Sequence, residues 1–543
     1  MAAEILRPSV RKAVQALRGV RQSLRSRWGR VRQPIRRSGI KRGGAHPILG
    51  RARSSYLTAG VVFLAVILGG ATRAGFLGDA VLQIIALPLL WLGLIGLFES
   101  RDASRARWIL SGLAVVGALP LLQLVPLPPS IWASLPGRSA IASTYKLLGD
   151  PLPAFPLTVS PEATWLSALS LVPPVAIFLS VLTLGYEQRR RVTLVVIAGA
   201  VVSVFLGLLQ VAGGPNSGLR FYTVTNTSEA VGFFANRNHF AALLYVAMLF
   251  CLCWLFETAE ALAEVRTAKL DSKTVIYFAV FAVALIVLQA GQLMARSRAG
   301  LLLSVVALLA GFIVVMSGRR ARGQRYLSKF LLAAIAIVVA VCSPFALFRI
   351  LDRFGTEAVA DARVAIVRNT ISAGEAYMPF GSGLGTFVPV YQTFEKPSDI
   401  AVTYVNHAHN DLLELWVETG IPGLLLLSVC IVWLVRRGIA AWTAAETDDT
   451  RRIDRNLMRS AAVVTGLLLA HSLVDYPLRT SANMAVFAFA AGLLVPPVQV
   501  RRADREMAAA KSRAVPHCSS RTPQPVPQRA LWYADSEWPS DRN

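Results

Sequence analysis

Four of the six histidines in this 543-residue chain, His239, His407, His409 and His471, stand where long apolar runs begin or end. The other two, His46 and His517, lie in polar terminal stretches. A neutral imidazole, with its ordinary pKa near 6.5, suits the abstraction of a proton at neutral pH. His407 and His409 are two residues apart, so on a helix they would face different ways and would not chelate together. No third ligand stands at a suitable spacing, and the five cysteines form no Cys-x-x-Cys pair, which argues against a metal site. Arginines occur in the same places. Arg237 lies in Asn236-Arg-Asn-His239, Arg296 and Arg298 lie in Met294-Ala-Arg-Ser-Arg-Ala-Gly300, and Arg363 and Arg479 join them. A guanidinium offers a planar pair of donors that matches phosphate. Snorkelling to lipid headgroups explains any one of these arginines, but it explains a convergent set poorly. The chemistry that the set implies is a general base beside a bound diphosphate.

The elements that must position these residues are membrane helices. The chain is 54% hydrophobic and 16% charged, against about 25% charged in an ordinary soluble domain, and its mean hydropathy is +0.52. Runs such as Gly60 to Gly70 and Phe330 to Val341 show neither a 3.6-residue nor a 2-residue period, as expected of helices surrounded by lipid or other helices. At about 20 residues per crossing, twelve spans are expected near 55–73, 77–98, 107–127, 164–185, 192–213, 235–256, 274–294, 298–317, 328–348, 411–436, 458–475 and 481–498. The fold class is therefore all-α, a polytopic helical bundle. Residues 1–54 form a basic arm, too long to be the leading part of a signal peptide, and the Pro-, Ser- and Arg-rich tail 499–543 is expected to be disordered.

A net charge of +25 first brings nucleic acid to mind, but the Lys and Arg residues cluster at the ends of apolar runs. Glu99–Arg107, Tyr186–Arg191, 257–273, 318–325 and Arg436–Arg459 are basic loops that all fall on one side. The positive-inside rule makes that side, and both termini, cytoplasmic. The opposite loops, 128–163, 214–234 and 349–410, are longer and poorer in Lys and Arg. Arg296 and Arg298 break the rule, which an anionic ligand or an acidic partner would compensate. The large loop 349–410 should contain short amphipathic helices, with a turn at Pro379–Phe387. Asp411, Glu414 and Glu418 follow His409. Asp411 could orient an imidazole, although a solvated acidic helix start accounts for it more simply.

Three segments resemble the O-antigen ligase superfamily, which includes related O-antigen and exopolysaccharide polymerases: Gly232-Phe-Phe-Ala-Asn-Arg-Asn-His-Phe-Ala241, Ser297-Arg-Ala-Gly300, and His409-Asn410 followed after nine residues by Gly420-Ile-Pro-Gly423. Pro379–Phe387 and His471-Ser-Leu-Val-Asp-Tyr-Pro-Leu-Arg479 also resemble segments of that family, and the likeness runs from about residue 55 to 498. It implies a GT-C-like lipid-dependent glycosyltransferase with one large periplasmic loop, in the bacterial inner membrane, with its active site facing the periplasm. The implied reaction is a metal-independent, cofactor-free, inverting transfer of a glycan from undecaprenyl diphosphate to a saccharide such as lipid A–core. A polymerase of the same superfamily is the alternative. By this resemblance His409 is the base and Arg298 and Arg237 hold the diphosphate. Arg296 stands beside them, and Asn410, Gly420, Gly423, Arg363, Asp475 and Arg479 support the site. The implied partners are the lipid-linked donor, the acceptor and membrane lipids, without nucleic acid. A transporter of lipid-linked saccharides would also use such arginines, but it should show internal repeats and mid-membrane helix breaks.

Overall fold

The computed structural model describes residues 47–73, 75–264, 271–317, 357–400, 404–444 and 450–498. The compact unit begins at Pro47. The tail, most of the basic arm and the expected span 328–348 lie outside the described residues.

Almost all of the described chain is helical. Helices α1 (Pro47–Leu68), α2 (Leu77–Phe98) and α3 (Ala103–Gln123) come first. Two short helices follow, α4 (Pro129–Trp132) and α5 (Ser139–Leu148), clasped by a two-residue antiparallel ladder that pairs Pro126 with Pro156. Next come α6 (Pro161–Ser170), α7 (Val172–Thr183), α8 (Tyr186–Ala212), α9 (Arg237–Glu264), α10 (Ser272–Ala295) and α11 (Arg298–Met316). The large loop contributes α12 (Glu357–Ala376) and α13 (Phe387–Phe394), and the chain returns through α14 (Asp411–Thr443), α15 (Arg452–His471) and α16 (Ser481–Leu493). Among the described residues, eight helices are long and apolar enough to cross a bilayer, with α6 and α7 counted as one. The expected spans 55–73, 458–475 and 481–498 are also helices. The apolar parts of the first and last are short, and α15 opens on Arg452, Asp454, Arg455 and Arg459.

Polar residues that interrupt the apolar runs cap the next helix, so the sequence marks the helix starts. Asp102 accepts from the Arg105 N–H (2.9 Å) at the start of α3, and Ser297 accepts from the Gly300 N–H (3.0 Å) at the start of α11. Helix α9 is apolar on every face and is almost wholly buried. It is the axis of the core, and α8, α10, α11 and α15 pack around it.

Contacts between helix ends sort the bundle into two ends. At one end the starts of α8 and α15 are joined by Arg190 and Asp454 (2.8 Å), and Arg452 reaches Glu260 (2.7 Å) near the end of α9. Arg437 of α14 donates to the Leu494 carbonyl beyond α16 (3.1 Å). These are the loops expected to be basic. The other end holds the starts of α9, α11, α14 and α16 and the end of α15. The Ala482 N–H there meets the Gly69 carbonyl (2.9 Å), and the Ala235 N–H meets the Gly70 carbonyl (3.0 Å).

Helix α14 is broken. Gly420 has φ 58° and ψ −147°, a region open essentially to glycine alone. A break frees backbone groups that need partners, and the turn after α12 supplies them. The Ser382 and Gly383 N–H groups donate to the Val417 and Glu418 carbonyls (2.9 and 2.8 Å), and the Ile421 N–H donates to the Pro379 carbonyl (2.9 Å). Gln123, the last residue of α3, donates to the Glu418 carbonyl (3.1 Å) and accepts from the Leu384 N–H (2.9 Å). The chain at the end of α3 therefore packs onto the same turn. A Cβ on Gly420 would lie 2.0 Å from the Pro379 oxygen. Gly420→Ala is expected to destabilise the protein by more than about 2 kcal/mol, since a left-handed strain of about 1–3 kcal/mol adds to the clash. A thermal melt of the purified variant in detergent checks this, and an unchanged midpoint would contradict it.

Candidate functional site

His409 and Asn410 form the entry to α14. The Asn410 side chain accepts from the Leu412 and Leu413 N–H groups (2.9 and 3.1 Å), capping the helix, and its amide donates to the Leu473 carbonyl (2.9 Å). One residue on, the Asp411 N–H donates to the Ser472 carbonyl (2.9 Å), while the Ser472 hydroxyl donates to the Asp411 carboxylate (2.6 Å). These bonds lace the His409 loop to the segment His471–Tyr476.

Asp475 lies at the centre. His409 Nδ1 and His239 Nε2 each stand 3.6 Å from its Oδ1, which also accepts from the Tyr476 N–H (2.8 Å). The Asn238 amide donates to Oδ2. Burial alone would raise the Asp475 pKa, but the two imidazoles outweigh it and hold the carboxyl well below its ordinary value. The group is therefore an anion at neutral pH. The Tyr476 ring is surrounded by imidazoles, with centroids 4.6 Å from His239, 4.2 Å from His407 and 5.1 Å from His409. Of these three side chains, that of His409 is the most open, at 29% exposure. His239 is fully buried. The fourth histidine, His471, lies deeper, where its Nδ1 meets the Tyr245 hydroxyl (3.2 Å).

The acidic residues after His409 do not form a solvated helix start. Asp411, Glu414 and Glu418 share one face of α14 and converge on Arg479 at 3.5, 3.4 and 2.9 Å. Arg479 is thereby engaged by three carboxylates, which ties the segment after α15 to the first turns of α14. The spacing of the three acids, three and four residues apart, was the available signal for this cluster. Nothing in the sequence named Arg479 as its partner.

The arginine positions fall into two groups. Arg237 opens α9 and is paired with Glu229, and its N–H donates to the Asn226 side chain (3.0 Å). Arg296 and Arg298 flank Ser297, and both are exposed. Gln292 ties this turn to α9 by donating to the Ala241 and Gly300 carbonyls (3.3 and 3.0 Å), and the Ala230 N–H donates to the Met294 carbonyl (3.2 Å). Arg237, Arg296, Arg298 and His409 thus share one end of the bundle. Arg363 is exposed on α12 and lines a surface depression with Val364, Val367 and Ile371, whose lining includes no histidine. Gly420 forms the helix break, and a Cβ on Gly423 would clash with the Thr419 side chain. Among the described residues, no group of three His, Cys, Asp or Glu is arranged to hold a metal ion. Also among them, the two non-glycine residues with positive φ are Arg296 (50°) and His409 (51°).

Residues 279–428 match the family model for O-antigen ligase. The chain carries an O-antigen ligase-type domain. No curated protein matches the chain. The matched stretch of this O-antigen ligase domain contains Arg296, Arg298, Arg363, His409, Asn410, Gly420 and Gly423, whereas Arg237, Asp475 and Arg479 lie outside it and meet it through the contacts above. The apolar helices and this domain together describe a multi-pass bacterial membrane protein of the ligase or polymerase type, which works on lipid-linked glycans and polysaccharides.

Proposed function

We propose that the protein transfers a glycan from undecaprenyl diphosphate to a saccharide acceptor, lipid A–core in the ligase reading, at the periplasmic face of the inner membrane. In this reading the fold is a GT-C-like bundle. The observation that carries the proposal is the meeting, at one end of the bundle, of the half-open His409 imidazole beside the Asp475 anion with the Arg296–Arg298 turn and Arg237. Asp475 faces Nδ1 and orients the ring, leaving Nε2 to take the proton of an acceptor hydroxyl. The oxygen freed of its proton forms the new bond to the anomeric carbon as the carbon–oxygen bond to the diphosphate breaks. Attack from the side opposite the leaving group inverts that carbon. The leaving diphosphate gains charge, which Arg298, with Arg237 and Arg296, stabilises more strongly in the transition state than in the bound donor. Every step is performed by side chains of this chain and needs no cofactor.

The break in α14, like the arginines at that end of the bundle, is a feature that a transporter would share. Hydrogen bonds brace it on both sides, which favours a fixed site over a moving gate. Purified protein supplied with undecaprenyl-diphosphate glycan and a saccharide acceptor is expected to yield the glycosylated acceptor and free undecaprenyl diphosphate. Movement of the donor across a vesicle bilayer without any new glycosidic bond would overturn the transferase in favour of the transporter. Deleting the gene separates the two transferases: a ligase mutant loses long glycan from lipid A–core, and a polymerase mutant loses the polymer itself.

A further inference from the structure

His407 has no part in the mechanism above, yet both of its ring nitrogens are engaged. Nδ1 lies 2.7 Å from Glu414 Oε1, and Nε2 lies 2.7 Å from the Thr72 carbonyl oxygen. A carbonyl oxygen only accepts, so Nε2 must carry a proton. Nδ1 then faces a carboxylate oxygen, and a second proton must sit between the two. Glu414 already accepts the Ala408 N–H at Oε2 (2.9 Å) and has Arg479 3.4 Å from Oε1, both of which favour its ionised form. The second proton therefore belongs to the imidazole.

We propose that His407 is an imidazolium strut that locks the loop 404–410, and with it His409, between the end of α1 and the first turn of α14. Glu414 grips this loop twice, through the His407 ring and through the backbone of Ala408, the residue next to His409. Asn406 adds a second tie to Thr72 (3.4 Å). The charged groups facing the ring are Glu414, with Asp411 and Glu418 behind it on α14, and Arg479; His239, His409 and Asp475 lie across the Tyr476 ring. Burial lowers the pKa of His407, but the Glu414 charge and hydrogen bond outweigh that and raise it above the ordinary 6.5. The strut is therefore complete below about pH 6.5 and fails as pH rises through the elevated value.

Only the link to His409 as base rests on the proposed function, so the test includes readings that do not need transfer. Nitrogen-15 spectra of the wild-type protein at pH 6.5 should show the His407 ring doubly protonated. Amide exchange across 404–410, corrected for its intrinsic rise with pH, should step upward as pH rises through the elevated value. The step should vanish in His407→Gln, which can donate one hydrogen bond but cannot be charged. Transfer by wild type should fall over the same pH interval, whereas His407→Gln should be slower by up to about 10²-fold, the scale of a small misplacement, without that fall. A neutral ring at pH 6.5, or an identical pH step in the variant, would overturn the strut. An inert protein whose ring and exchange behave as stated would overturn only the transferase.

Discussion

His409→Ala is expected to lower glycan transfer by about 10²–10⁴-fold, the usual contribution of a positioned general base, while leaving the protein inserted and folded. The loss should be nearly complete because no neighbouring imidazole can substitute. His239 is closed off inside the bundle, and both nitrogens of His407 are occupied. Stability should barely change. The Asp475 carboxylate that faces His409 Nδ1 at 3.6 Å keeps His239, Asn238 and the Tyr476 N–H as partners when the ring is removed, and alanine keeps the Cβ that the left-handed backbone already tolerates. Transfer from undecaprenyl-diphosphate glycan by the purified variant, alongside its melting curve, makes the comparison. Wild-type rates would rule out His409 as the base. Lost activity together with a collapsed melting curve would make its role structural.

Arg479→Leu is expected to be the most damaging single change to stability. It would leave Asp411, Glu414 and Glu418 facing each other in a buried site with His407 as the nearest cation. Removing one member of a buried ion pair costs about 3–5 kcal/mol, and here one guanidinium serves three partners. Since a whole domain is stable by about 5–15 kcal/mol, little folded variant should reach the membrane. Arg479→Lys should recover part of the loss, because an ammonium restores the charge but cannot present a planar fork to three acids. Membrane yield and detergent melting measure both variants. An Arg479→Leu protein with a normal melting midpoint and weakened donor binding would show that the arginine serves the donor, against the bracing role assigned here.

The membrane helices were legible in the sequence because lipid asks for little more than apolar length, and polar residues such as Asp102 and Ser297 marked their starts. The break in α14 was hidden for the same reason: the apolar run continues through Gly420, so neither hydropathy nor period records the change of direction. Gly420 and Gly423 stood out only as part of a motif, and the bracing by Gln123 and Ser382 depends on chain segments far away. His409, Asn410 and Asp475 stood out because the resemblance ran through short, contiguous motifs, and the fold brings those motifs together. The Arg479 cluster joins residues 61 to 68 positions apart and needed the fold. Arg479, expected as a supporting residue, contacts all three acids. On a helix His407 and His409 would face different ways, but their loop is not helical and both rings pack against Tyr476.

The backbone at His409 carries one more consequence. At φ 51°, glycine would sit without strain and asparagine with little, whereas histidine bears a penalty of about 1–2 kcal/mol. Arg296, at φ 50°, is in the same position. An optimiser that maximised stability alone would replace both residues and so erase the proposed base and one of its neighbouring cations. These two positions mark where a stability–activity trade-off falls in this chain, and a stabilised variant intended to remain active should leave them untouched.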